Sequence, residues 1–127
     1  MNRFLVALPL AALCASAVAY GQSSARPACA PDNGGLTLPE GFCAMVAADN
    51  LGAARHVAVA QDGTVYVAIQ NRGGDRAGVV ALRDTNGDGT LDAQERAGEK
   101  STTGLAIRNG YLYTATIGSV ERFRING

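Results

Sequence analysis

An all-β fold is predicted by three features of the chain. Apolar residues recur with a period of two from His56 onward, Asp-Gly and Asn-Gly turns break that pattern, and the whole unit recurs about 47 residues later. The stretch "HVAVAQDGTVYVAIQ", 56–70, is strand, Asp-Gly turn and strand, a hairpin signal. Val57 and Val59 alternate with Ala58 and Ala60, and Val65 and Val67 with Tyr66 and Ala68. Neither face is polar. A hairpin lying on a single core shows polar residues at every second position, so this one is expected to be covered on both sides. "VVALR", 79–83, then makes a third strand after the Gly-rich loop 71–78.

The second unit is "GLAIRNGYLYTATI", 104–117, with its turn one residue shorter. Gly110, Tyr113 and Ala115 match Gly63, Tyr66 and Ala68, and "VERFRI", 120–125, stands where "VVALR" stood. Short strands repeating at this spacing, with no helices between them, are the mark of propeller blades. Each blade packs between two neighbours, which accounts for the two apolar faces. Closing a propeller takes roughly four to eight blades, and 127 residues hold about two. The expectation is a partial β-propeller over 38–127, with repeats beginning near 56 and 104, as the first part of a longer protein.

What precedes the strands concerns export. Arg3 is followed by an apolar run, 4–19, that ends in Ala17-Val18-Ala19. A positive start, a short apolar core and a small-x-small site make residues 1–19 a signal peptide, cleaved after Ala19 or Gly21. The run is shorter than the ~20 residues of a membrane span, so no span is expected in the mature chain. Leu13 before Cys14 argues against a lipoprotein. The exported chain is placed in the periplasm or outside the cell, where Cys29 and Cys43 form a disulfide that tethers an irregular lead, 20–37. Formal net charge is zero and the eleven basic residues are scattered, which gives no footprint for nucleic acid.

The chemistry lies in "DTNGDGTLDAQE", 84–95, which fills every position of a calcium-loop pattern. Asp84, Asn86 and Asp88 on alternate residues aim three oxygen donors at one centre, and Gly89 supplies the positive φ that bends the loop. Thr90 follows with its carbonyl, Asp92 through a water, and Glu95 as a bidentate ligand, while Leu91 anchors the loop to a core. The flank "GVVALR" favours a strand over an entering helix, and "LDAQERAG", 91–98, allows at most about two helical turns. The metal half of the motif is therefore expected within a strand-to-strand connection. Its metal-free alternative is an Asx-capped turn. His56, the one histidine, is read as structural, and no nucleophile or nucleotide motif occurs.

The segments "LTLPEGFCAMVAADNLGAARHVAVAQDGTVYVAIQ", "GVVALRDTNGDGTLD" and "TGLAIRNGYLYTATIGSVERFRI" together resemble the start of the sorbosone/glucose dehydrogenase family. The resemblance runs from about Leu36 to the last residue. It rests on the Leu-Pro-x-Gly-Phe opening at 38–42, on "RHVAVAQDGTVYVA" and on "LRDTNGDG". It implies an exported, six-bladed quinoprotein propeller that oxidises a sugar or sugar aldehyde, with pyrroloquinoline quinone (PQQ) as hydride acceptor and calcium beside it. The family's catalytic histidine does not map onto His56, and its quinone contacts are expected in later blades. Catalytic and quinone-binding residues are therefore left unassigned, and the Asp84 loop is read as a structural ion site. Two rival readings are a non-catalytic, calcium-braced propeller module and a small secreted calcium-binding protein.

Overall fold

The computed structural model describes residues 27–74 and 76–125. The signal peptide expected from the sequence, 1–19, and its expected cleavage site lie outside them. Seven strands follow a short 3-10 turn at Asn33–Gly35: β1 (Ala53–Val59), β2 (Val65–Gln70), β3 (Gly78–Arg83), β4 (Ala93–Ala97), β5 (Thr102–Arg108), β6 (Tyr111–Thr116) and β7 (Ser119–Arg124). They form two antiparallel meanders, a four-stranded sheet ordered β1-β2-β3-β4 and a three-stranded sheet ordered β5-β6-β7. The described residues are all-β, as the period-two pattern predicts.

Both expected hairpins are present, with turns that differ by one residue. Ala60 and Thr64 close the first, their N–H···O bond 2.9 Å long, with Gly63 at φ 86°. In the second, Arg108 pairs with Tyr111 across Asn109 and Gly110, at φ 51° and 74°. Two positive φ values suit an Asn-Gly turn between right-twisting strands.

The pairing repeats as the sequence does. Tyr66 stands between Ala58 and Ala81, and Tyr113 between Ala106 and Arg122. Ala68 stands between His56 and Val79, and Ala115 between Gly104 and Val120. Each first strand also carries one irregularity at the same place, between Ala54 and His56 in β1 and between Thr102 and Gly104 in β5. A bulge bends and twists its strand, so equal bulges give β1 and β5 the same local path.

Two cores follow from alternation. On one face of the first sheet, Tyr66, Ala68 and Val79 pack against Leu105 and Leu112 of the second. On the other face, Val67, Ile69, Val80 and Leu82 are covered by Ala48 and Leu51 of the segment that precedes β1 (residues 27–52, hereafter the lead) and by Leu91. Cover on both sides thus holds for β2 and β3. It does not hold for β1, whose Val57 and Val59 are 55% and 62% exposed, because the lead reaches only the middle of the sheet.

The segment 91–98 corrects one expectation. In place of a short helix, Ala93–Ala97 is strand β4, paired residue for residue with β3 from Val79↔Ala97 to Arg83↔Ala93. Ala, Gln, Glu and Arg are good helix formers, but the open edge of β3 supplies a ladder that local propensity does not foresee.

Candidate metal centre

The acidic loop joins β3 to β4 as a tight turn organised by its own side chains. Asp84 Oδ1 accepts the N–H groups of Asn86 (3.3 Å) and Gly87 (2.7 Å), and Oδ2 accepts that of Gly89 (2.8 Å). Asn86 Oδ1 accepts from the Asp88 N–H at 2.9 Å, while its Nδ2 donates to Asp88 Oδ2 at 3.1 Å. Asp88 Oδ1 accepts the Thr90 N–H at 2.7 Å. The Thr90 N–H, and then the Asn86 amide, hold the Asp88 carboxyl below its ordinary value. Asp92 is engaged by Thr85. It accepts from the Thr85 hydroxyl (2.7 Å) and N–H (2.9 Å), which lower its pKa in that order.

Asp84, Asn86 and Asp88 therefore gather at one turn, as the spacing predicts. Asp84 Oδ1 already accepts two N–H groups, but Asp84 Oδ2 and Asp88 Oδ1 each accept one and keep a further lone pair, which suits a hard cation. Among the described residues, no three His, Cys, Asp or Glu side chains are grouped closely enough to hold an ion. Asn86 and the Thr90 carbonyl would have to complete the donor set. Glu95 does not join it. It lies on β4 opposite Ala81, on the face turned toward the second sheet, because a strand separates positions 92 and 95 further than a helix does.

The loop is also a docking point for the lead. The Leu91 N–H donates to the Ala47 carbonyl at 2.7 Å, and Leu91 reaches the core beneath. Gly89, at φ 91°, sits so close to the lead that a Cβ there would lie 2.5 Å from Pro27 Cβ and 2.8 Å from Met45 Cε. Pro27 and Met45 flank the Cys29–Cys43 disulfide, which closes as expected with a Cα–Cα distance of 5.7 Å. The Ala30 N–H to Ala44 carbonyl bond, 2.8 Å, continues the tie.

His56 is exposed on β1 opposite Ala68. Among the described residues, no helix is long and apolar enough to cross a membrane. Sequence reasoning missed the link between loop and lead, whose only signal was a glycine that the calcium pattern already explained. In comparisons with known proteins, the chain matched no family model, no curated protein and no solved structure.

Proposed function

We propose that the chain is the opening part of an exported β-propeller similar to the sorbosone/glucose dehydrogenases, its Asp84 loop braced by calcium. The observation that carries the reading is the repeated sheet face. Tyr66, Ala68 and Val79 hold the second sheet against the first, and Tyr113, Ala115 and Val120 stand at the same register positions of the second. Of that second set, Val120 is 72% exposed and Tyr113 and Ala115 are half-buried. A face built to hold a neighbour argues for a further blade, and successive blades of this kind argue for a propeller.

In this reading the assembled protein oxidises a sugar or sugar aldehyde, and PQQ supplies the hydride acceptor. The described residues do not fit the quinone. His56 is their sole histidine and stands exposed, with no hydrogen bond to orient it. This part of the protein would contribute framework. Calcium would be held by Asp84, Asn86, Asp88 and the Thr90 carbonyl, fixing the β3–β4 connection and the lead docked on it.

Intact mass and PQQ-dependent dye reduction of the native exported protein test the proposal. A species well above 13.0 kDa that reduces dye with glucose or sorbosone supports it. A large species without dye reduction points to a non-catalytic, calcium-braced module. A folded species near 13.0 kDa without dye reduction overturns the propeller reading and leaves a small calcium-binding protein.

A further inference from the structure

Asparagine followed by glycine occurs four times in the chain, at 33–34, 86–87, 109–110 and 126–127, and the first three pairs lie among the described residues. Such a pair loses ammonia without an enzyme when two conditions are met. The asparagine side chain must be free to turn its Cγ onto the glycine nitrogen, and the glycine N–H must be free to give up its proton. Glycine favours the attack because it has no Cβ to obstruct it.

Two of the three pairs meet neither condition. Asn33 Oδ1 accepts the Ala44 N–H at 3.2 Å, and the Gly34 N–H donates to Asp32 Oδ1 at 3.0 Å. Asn86 Oδ1 accepts the Asp88 N–H at 2.9 Å and its Nδ2 donates to Asp88 Oδ2 at 3.1 Å, while the Gly87 N–H donates to Asp84 Oδ1 at 2.7 Å. In both, the glycine N–H rests on a carboxylate, whose charge opposes loss of the amide proton. The third pair differs. Asn109 and Gly110 form the two-residue turn between β5 and β6, and only the Gly110 carbonyl is engaged, by the Ile125 N–H at 3.0 Å. Among the described residues, neither the Asn109 side chain nor the Gly110 N–H has a hydrogen-bond partner.

We infer that Asn109–Gly110 is a site of spontaneous deamidation, and that the fold shields Asn33 and Asn86 from the same reaction. The Gly110 nitrogen gives its proton to solvent base and bonds to Asn109 Cγ, closing a succinimide ring. The Cγ–Nδ2 bond breaks and ammonia leaves with a proton from solvent. Water then opens the ring at either carbonyl, which gives aspartate or isoaspartate at position 109. Aspartate keeps the backbone length and tolerates the positive φ of 51°. Isoaspartate adds a methylene to the backbone of a turn that pairs Arg108 with Tyr111. Leu105 and Leu112, on the strands that this turn joins, pack with Tyr66, Ala68 and Val79 of the first sheet. The isoaspartate product therefore loosens the contact between the sheets. The inference is independent of the calcium and propeller readings.

The test is incubation of the folded full chain in mildly alkaline buffer, with EDTA present so that no ion on the Asp84 loop contributes. Peptide mapping by mass spectrometry then follows amide-to-acid conversion at each pair. Asn109 is expected to convert at least about tenfold faster than Asn33 or Asn86, since each of those must first break a hydrogen bond to a carboxylate. In urea the three are expected to react at similar rates. Asp84→Ala, which removes the acceptor of the Gly87 N–H, should raise the rate at Asn86 toward that at Asn109. The isoaspartate form should melt below the unreacted chain, and the aspartate form with it. Equal rates at the three pairs of the folded chain, faster conversion at Asn33 or Asn86, or an Asn109 that reacts only in urea would overturn the inference. An isoaspartate form that melts with the unreacted chain would overturn the link to the sheets. Should Asp84→Ala fail to fold, the parent chain with and without urea still decides it.

Discussion

Replacing Gly89 with alanine tests whether the lead is seated on the acidic loop. Two costs act at this position. A residue with a Cβ at φ 91° loses roughly 1–2 kcal/mol in the left-handed region. The new Cβ would also stand 2.5 Å from Pro27 Cβ, about 1 Å inside the optimal carbon–carbon separation. Forcing that ring away is an overpacking cost of about 1–3 kcal/mol. Gly87 provides the comparison, since it has φ 81° but nothing within 4 Å of its Cβ. Gly87→Ala should therefore carry the backbone cost alone, and the difference between the two variants isolates the contact with the lead. Urea unfolding followed by far-ultraviolet circular dichroism measures both. The comparison is then repeated in the Cys29→Ser, Cys43→Ser background, where Pro27 is no longer tied to Met45. There the difference should fall by more than half, because a freed lead yields to the methyl group. Equal costs for the two glycines, or a difference indifferent to the disulfide, would refute the seating of the lead.

Three further outcomes are expected. Leu82→Ala, at a side chain 2% exposed, should cost about 2–5 kcal/mol in the same assay, whereas Ile117→Ala, at 96% exposure, should stay within about 0.5 kcal/mol. Asp88 and Asp92 both have pKa values lowered by loop hydrogen bonds, so in acid the unfolded chain binds the more protons. Stability from these two groups should be complete above the ordinary value of 3.8 and fade as pH falls through their lowered values; Asp88→Asn should flatten that acid limb in a thermal melt. Saturating calcium, at about a hundred times its Kd, should stabilise the chain by about 2.7 kcal/mol, and Asp84→Asn should abolish the shift. An unchanged melting temperature of the parent chain with calcium would remove the ion from the proposal.

Much of the fold was legible because hairpins are local. Asp62-Gly63 and Asn109-Gly110 announce their turns, and alternation about them assigns each valine and tyrosine to a face. The disulfide was legible by counting, since two cysteines remain once the leading segment is set aside. β4 was not legible. Its residues favour a helix locally, and they become a strand only through the free edge of β3, which no window of sequence displays. The fate of Glu95 followed from that error: as a helical residue it would close a calcium loop, and as a strand residue it faces another sheet.

The two bare surfaces of the molecule are not alike, and the difference bears on how it is built. At β1, Val57 and Val59 lie beyond the reach of the lead, so that surface is the margin of a face already partly filled. On the second sheet, no described segment covers Tyr113, Ala115 and Val120, and only Arg122 lies over an aromatic ring there, 4.8 Å from the centre of Tyr111. A sheet that evolved to face water would replace such residues with polar ones at every second position. Here Tyr113, Ala115, Val120 and Ala106 match Tyr66, Ala68, Val79 and Ala58 of the face that already holds a partner, Arg122 stands in place of Ala81, and the bulge that shapes the first strand recurs. Chance recurrence explains a shared tyrosine or a shared turn. It does not readily explain matched residues, register and bulge together. The repeat is one of packing as well as of sequence.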